Sequence, residues 1–389
     1  MKLNKFVMVC LIVAATGAVI GGIGFLLGGR VYGLSLGGKG VVVSSNGGNI
    51  GSDIEYVKEN KNLEAFKSLD LDVAFSDIQI KEADHFGIEY CVRKDCPVTE
   101  ELQGDTMVIK QNRPKGMIAS FSVSGISYGN LAKEYITISV PKGEKFSTIK
   151  LHNESGDITL GDLVADELTI EDAFGSIEAQ KLAAGTTDFI LESGDVTVDE
   201  MQTAHMTIKD SFGKAAIGKL ETTDADFKFE SGDIKIDEIK AEQLTVKNTF
   251  GQVLLGDADV ANKVSINVES GDIEFDQLTS DDVELYTTFG YVDGKKATVG
   301  NILMDLESGD CSIDDILADT VDVKDKFGAV KLGLREGAET YSIDAKTTFG
   351  SVTVNGEDMG EKYRDKSSDS KKQLVLNCES GDIELSDVE

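Results

Sequence analysis

The sequence predicts an all-β fold, a single-chain parallel β-solenoid (β-helix-like) with coils of about 19 residues, preceded by one transmembrane helix. Glycine recurs at this interval, and a fixed period near ~20 residues is typical of solenoids, whose repeats bury their apolar faces against their neighbours. Apolar residues alternate with period two on both sides of each glycine, as they do in strands. The glycines expected to form structural turns are Gly156, Gly175, Gly194, Gly213, Gly232, Gly251, Gly271, Gly290, Gly309, Gly328, Gly350 and Gly381.

The N-terminal element is an apolar segment. Residues 1–5 are short and basic, and residues 6–29 carry no charge, which is enough to cross about 30 Å of hydrocarbon at ~1.5 Å per residue. Lys2 and Lys5 favour a cytoplasmic N-terminus. We expect a retained single-pass anchor in the plasma membrane with the solenoid outside; a cleavable signal peptide is the alternative.

The remaining chain divides by composition and regularity. We expect a Gly/Ser-rich spacer at residues 30–59 and an irregular cap with the first coils at residues 60–144. Residues 145–389 are predicted to form the regular solenoid. The polar residues 355–373 are predicted to form an exposed insertion within it.

The glycines fall into two alternating classes. In the Ser-Gly coils the glycine lies in Glu-Ser-Gly-Asp, as at Glu154–Asp157, and in the Phe-Gly coils it follows phenylalanine. The alternation fails once, between Phe327 and Phe349. Since interiors are closely packed, we expect each phenylalanine to cover an apolar side chain of the neighbouring coil. The predicted core ladder consists of Phe174, Phe212, Phe250, Phe289, Phe327 and Phe349.

The cysteines divide by position. Cys311 and Cys378 occupy apolar columns and are predicted to lie in the core. Cys91 and Cys96 flank four residues that suit a turn, so a disulfide between them is expected if the chain lies outside the cell. Free thiols are the alternative, and zinc is disfavoured because no second ligand pair accompanies them.

Charge limits the partners. The formal net charge of −31 comes without a compensating basic stretch, which argues against nucleic acid and anionic lipid head groups as ligands. We interpret the charge as a solvated outer face that keeps a long β surface soluble.

The repeated carboxylates suggest architecture more than chemistry. Six near-identical copies do not suit a single catalytic site, the three histidines are scattered, and we expect no enzyme activity and no cofactor. Calcium between the turns is the sharper hypothesis, against aspartates that cap backbone amides. The weak metal candidates are Glu154, Asp157, Glu192, Asp195, Glu230 and Asp233.

Ser-Gly-Asp-Ile and Phe-Gly turns with short Ile/Val alternation, behind an N-terminal membrane segment, resemble the bacterial putative-adhesin family. This is a domain of unknown function, and its members include accessory proteins of envelope-stress operons. The resemblance covers about residues 60–389 and supplies no catalytic residue. It implies a solenoid in the cell envelope.

Two functions follow as expectations. The first is a membrane-anchored surface protein that presents a regular side wall to a cell-surface, cell-wall or protein ligand. The second is an accessory role in envelope-stress signalling through a membrane partner. A calcium-binding solenoid is a third, weaker alternative.

Overall fold

The computed structural model describes residues 33–37, 40–44, 55–112, 133–365 and 372–388. The expected anchor at residues 6–29 lies outside this part of the chain. Within the described residues no helix is long and apolar enough to cross a membrane, and the helical segment present there is a 3-10 turn at Ala338–Thr340.

The chain forms two units. The first comprises Met1–Glu55 and Arg113–Ala132, and in it strands β1 (Gly33–Gly37) and β2 (Gly40–Ser44) pair as an antiparallel hairpin. The second unit, Tyr56–Asn112 and Lys133–Glu389, contains the solenoid.

The second unit is built from strands joined in one sheet. At its N-terminal end lie β3 (Tyr56–Asn62), β4 (Ser68–Val73), β5 (Asp77–Ala83), β6 (Gly87–Arg93), β7 (Val98–Gln103), β8 (Thr106–Gln111) and β9 (Tyr135–Pro141). The regular coils comprise β10 (Lys145–Asn153), β11 (Ile158–Leu160), β12 (Leu163–Phe174), β13 (Ile177–Ser193), β14 (Val196–Phe212), β15 (Ala215–Glu221), β16 (Asp224–Ser231), β17 (Ile234–Phe250), β18 (Val253–Ser270), β19 (Ile273–Phe289), β20 (Val292–Ser308), β21 (Cys311–Phe327) and β22 (Val330–Leu334). The C-terminal end contains β23 (Tyr341–Phe349), β24 (Val352–Val354), β25 (Glu357–Asp358), β26 (Lys362–Asp365), β27 (Lys372–Ser380) and β28 (Ile383–Asp387).

The predicted parallel solenoid of about 19-residue coils is confirmed. Strand β17 shows the pattern of one coil. Its buried residues alternate with exposed or partly exposed ones in three runs, which are separated by the exposed pairs Asp237–Glu238 and Glu242–Gln243. Each residue pairs with the one in the next coil, as Ile234 does with Val253. The one 20-residue interval between Gly251 and Gly271 places its extra residue in a register shift after Asp259. Extra residues are absorbed in this way without changing the faces that point inward.

The repeated glycines are required by the close approach of stacked corners. Gly194 and Gly232 have φ of 159° and 150°, and a Cβ added at either would overlap the carbonyl oxygen of the glycine one coil earlier. Backbone hydrogen bonds join the same corners, such as the Gly232 amide to the Phe250 carbonyl at 2.8 Å. Glycine recurs in the sequence because each corner packs backbone against backbone on the next.

The C-terminal end departs from chain order. Strand β27 pairs with both β21 and β23, and β28 pairs with both β22 and β24. The last segment of the chain therefore lies between two coils that precede it in sequence. In space Ser380 lies between Phe327 and Phe349, so the alternation that fails in the sequence is complete in the structure.

The insertion expected at residues 355–373 precedes this change in strand order. Its described part forms β25 and β26, which pair antiparallel with β24 and β23 and cover the edge of the last coil. The N-terminal end is likewise out of chain order, because β4 and β5 lie between β8 and β9 on one side and β10 and β11 on the other. Ser76 occupies the glycine position of that coil, and the corner of Gly156 stacks on its carbonyl.

The predicted disulfide is not formed, because Cys91 and Cys96 are both buried free thiols. Cys91 lies within β6, opposite Lys58 and Tyr135. The turn that follows closes between the Arg93 carbonyl and the Cys96 amide at 2.9 Å. The tight turn thus places Arg93, and not Cys91, opposite Cys96. Cys311 and Cys378 are buried as expected.

Candidate functional site

The predicted core ladder of phenylalanines is wrong, because these side chains point into solvent. Their exposed fractions run from 56% at Phe250 to 75% at Phe349. The period-two alternation that buries the positions seven, five and three residues before each glycine ends at the corner, where the chain turns. The residue directly before the glycine therefore lies outside the core.

Phe75 belongs to the same set, since it precedes Ser76 at a corner and is 42% exposed. Together the exposed rings form a row that we call the phenylalanine ladder: Phe75, Phe174, Phe212, Phe250, Phe289, Phe327 and Phe349. The rings lie two coils apart, which is about 9.6 Å at ~4.8 Å per strand. Serine occupies the same corner position in every intervening coil, as in the pairs Phe212–Ser231 and Ser231–Phe250.

Carboxylates flank the ladder on both sides. Each Ser-Gly coil places a glutamate before its serine and an aspartate after its glycine, which gives twelve acidic residues along the corner. At the equivalent positions of the Phe-Gly coils the charged residues are Lys214 and Lys326. Glu192, Glu230 and Glu269 are exposed beside the rings. The ladder is thus an apolar ridge inside a strongly negative strip.

The corner aspartates have a structural role. Oδ1 of Asp233 accepts the backbone N–H of Gln252 in the next coil at 3.1 Å, and Oδ1 of Asp195 accepts that of Lys214 at 3.0 Å. Oδ1 of Asp157 accepts both the amide and the hydroxyl of Ser176, which lowers the pKa of this carboxyl. These aspartates therefore cap backbone amides of the next coil and not, as predicted, the local amides of their own turns. No cluster of three or more metal-ligating side chains occurs among the described residues.

A second row of polar groups lies inside the same corner, three residues before the glycine of each Phe-Gly coil. Asn248 donates from Nδ2 to the Gly232 carbonyl at 2.8 Å, and Thr287 donates from Oγ1 to the Gly271 carbonyl at 3.2 Å. These side chains satisfy carbonyls that the bend takes out of the strand ladder.

Aspartates occupy the same inner position at Asp172, Asp210 and Asp325, where they are 3–4% exposed. Burial raises the pKa of Asp172 to about 7 and that of Asp210 and Asp325 to about 6. Oδ1 of Asp210 accepts the Phe212 amide at 3.0 Å, whereas Oδ2 is buried and has no partner. A proton on this oxygen would let the acid donate as Asn248 does.

His152 and His205 lie apart, each beside one acidic residue of the next coil. His152 faces Glu171 at 3.4 Å and His205 faces Asp224 at 2.9 Å, and all four side chains are partly exposed. Surface ion pairs of this kind contribute little to stability.

An open groove of about 760 Å³ lies beside the C-terminal end of the ladder. Its lining residues include Phe349, Lys326 and Glu379.

The sequence model of a known family matches two overlapping stretches, residues 66–255 and 227–386, and is described as Toastrack DUF4097. The chain belongs to the DUF4097 family. The resemblance to a domain of unknown function that the repeats indicated is thereby confirmed. No curated protein matches the chain.

Solved structures similar to this DUF4097 protein carry the name putative adhesin. One from Parabacteroides distasonis is 15% identical, covers 72% of this chain and 98% of its own, and gives a TM-score of 0.34. One from Parabacteroides merdae is 16% identical over 71% of this chain and 95% of its own, with a TM-score of 0.32. One from Bacteroides fragilis is 14% identical over 63% and 96%, with a TM-score of 0.30.

Proposed function

We propose that this DUF4097 chain is a non-enzymatic binding and structural protein of the cell surface. Residues 6–29 would hold it in the plasma membrane with a cytoplasmic N-terminus, and the solenoid would face outward. The observation that carries the proposal is the phenylalanine ladder. Large apolar side chains exposed in a regular row are typical of interaction sites, whereas isolated ones need no explanation.

The fold itself does not require these rings. Serine fills the same corner position in each coil between two successive phenylalanines, with the same parallel pairing. A polar residue is therefore compatible with this backbone, and a phenylalanine before the glycine leaves more than half of its surface exposed. Stability alone gives no reason for seven exposed aromatic side chains at one position, whereas a ligand that contacts them does.

Location and binding can be tested in one cellular experiment on the full chain. Intact cells are treated with a membrane-impermeant, lysine-reactive crosslinker, and the crosslinked products are compared with those from permeabilised cells. Surface display predicts modification of solenoid lysines in intact cells. Modification only after permeabilisation would overturn the proposed location.

The binding role is tested with a matched pair of variants in the same cells. The ladder variant combines Phe212→Ser, Phe250→Ser and Phe289→Ser, and the control is Val164→Ser, an exposed apolar residue away from the corner. We expect the crosslinked products to disappear in the ladder variant and to persist in the control. An unchanged product pattern in the ladder variant would refute the ladder as the binding surface.

A further inference from the structure

We propose that the phenylalanine ladder binds a basic polypeptide segment in the polyproline II conformation, with a lysine or arginine at every third position. This inference rests on the proposed binding function and names its ligand class. Three features of the corner carry it: the spacing of the rings, the charge around them and the serine levels between them.

The spacing fits polyproline II best among regular polypeptide conformations. Three residues of this helix rise about 9.3 Å and return a side chain to the same side, close to the ~9.6 Å between ladder rings. Two turns of α-helix rise about 10.8 Å, which loses register by more than 1 Å per ring. In an extended strand every third side chain points to the opposite face. A polyproline II segment therefore stays in register over several rings.

Aromatic surfaces are established receptors for this conformation, since its fixed backbone docks with little loss of entropy. The serine levels between the rings leave shallow gaps in which a proline ring fits between two phenylalanines. Serine pairs directly with both flanking phenylalanines, as Ser231 does with Phe212 and Phe250, so ridge and gap alternate at every level.

The charge of the strip selects a basic ligand. Glu192, Glu230 and Glu269 are exposed between successive rings, and within the described residues none of the three forms an ion pair. A cation placed over a phenylalanine ring gains from the ring face and from these carboxylates together. A second copy of this chain would bring two such negative strips into contact, which disfavours self-association along the ladder.

The direct test uses the full chain in detergent or nanodiscs and synthetic proline-rich peptides that each carry five charged residues. The probe is five repeats of Lys-Pro-Pro, and matched peptides space the same five lysines every second or fourth residue. A peptide of five Glu-Pro-Pro repeats reverses the charge, and a hexamer of β-1,4-linked N-acetylglucosamine tests a glycan. We expect measurable binding of the Lys-Pro-Pro peptide alone, weakening as salt increases.

Variants locate the site. The triple ladder variant Phe212→Ser, Phe250→Ser and Phe289→Ser should weaken binding by about 10- to 100-fold, given ~0.5–1 kcal/mol for each exposed cation–π contact. Glu192→Gln, Glu230→Gln and Glu269→Gln together should weaken binding and flatten its salt dependence. Glu238→Gln, an exposed acid away from the corner, should change neither.

The outcomes separate this inference from the proposed function. Equal binding of peptides with every lysine spacing would overturn the polyproline II register. Binding of the glycan instead, or dimerisation that the ladder variant abolishes, would replace the ligand class while leaving a functional ladder. Failure of all probes combined with ladder-dependent crosslinking on cells would refute the basic ligand but not the binding function. Loss of both would refute the ladder as a site.

Discussion

Replacing Asp210 with asparagine should stabilise the protein at neutral and alkaline pH and have little effect in acid. In the folded chain the pKa of Asp210 is raised to about 6, and burial is the main cause. An aspartate with an unfolded pKa near 3.8 and a folded pKa near 6 binds its proton more tightly when folded. Its contribution is therefore complete below about pH 4 and is lost as pH rises through 6.

The size of the loss follows from the shift. About two pKa units correspond to roughly 3 kcal/mol at ~1.36 kcal/mol per unit. The asparagine side chain can donate a hydrogen bond at every pH. Asn248 holds the position equivalent to Asp210 two coils later, and it donates to the Gly232 carbonyl. We thus expect Asp210→Asn to raise the free energy of unfolding by about 1–3 kcal/mol at pH 8 relative to the parent.

Urea denaturation of parent and variant at pH 4.5 and pH 8 measures this difference directly. The comparison cancels the titration of the other carboxylates, and Asp199→Asn, at an exposed position, serves as the control. A difference between variant and parent that is the same at both pH values would refute the raised pKa of Asp210.

Three further predictions test the corner. Phe250→Ser should change the free energy of unfolding by less than about 0.5 kcal/mol, whereas Phe227→Ala in the core should reduce it by about 3–5 kcal/mol; urea midpoints that rank the two the other way would contradict the exposed ladder. Gly232→Ala should destabilise by more than ~3 kcal/mol because its methyl overlaps a stacked carbonyl, and a variant that melts with the parent would exclude that close approach. Asp233→Ala should lose about 0.5–1.5 kcal/mol and speed hydrogen exchange at the Gln252 amide; unaltered exchange there would argue against the cap.

Much of the fold could be predicted because the solenoid repeats its physical constraints at every level. The glycine spacing reflects corners stacked backbone on backbone, as at Gly232, and the apolar alternation reflects the inward-facing runs of each coil. Each repeat is thus further evidence for the same geometry. Pairing between segments distant in sequence leaves a weaker trace, which here is the failed alternation between Phe327 and Phe349. That failure does not say which segment fills the gap, so the placement of β27 and β28 between earlier coils was found only in the structure.

The candidate site was misread for a local reason. Alternation counted from Leu244 and Val246 continues to Asn248 and would continue to Phe250, but the corner turns the chain before that residue. The sequence does contain evidence for the correct assignment. The position three residues before the glycine holds Asp210, Asn248 or Thr287 in successive Phe-Gly coils, and a polar side chain that is buried there must bond to backbone. Recognising that row as the last inward position would have moved the phenylalanines outside.

The out-of-order C-terminal layer has a consequence for biosynthesis. Residues 372–387 lie inside the stack, so the coil of β23 and β24 has no parallel neighbour until these residues have been synthesised. A nascent chain that stops short would expose the open edges of β21 and β22, which are ready templates for pairing with other chains. Premature termination before residue 372 is therefore expected to yield an aggregation-prone product instead of a shorter solenoid.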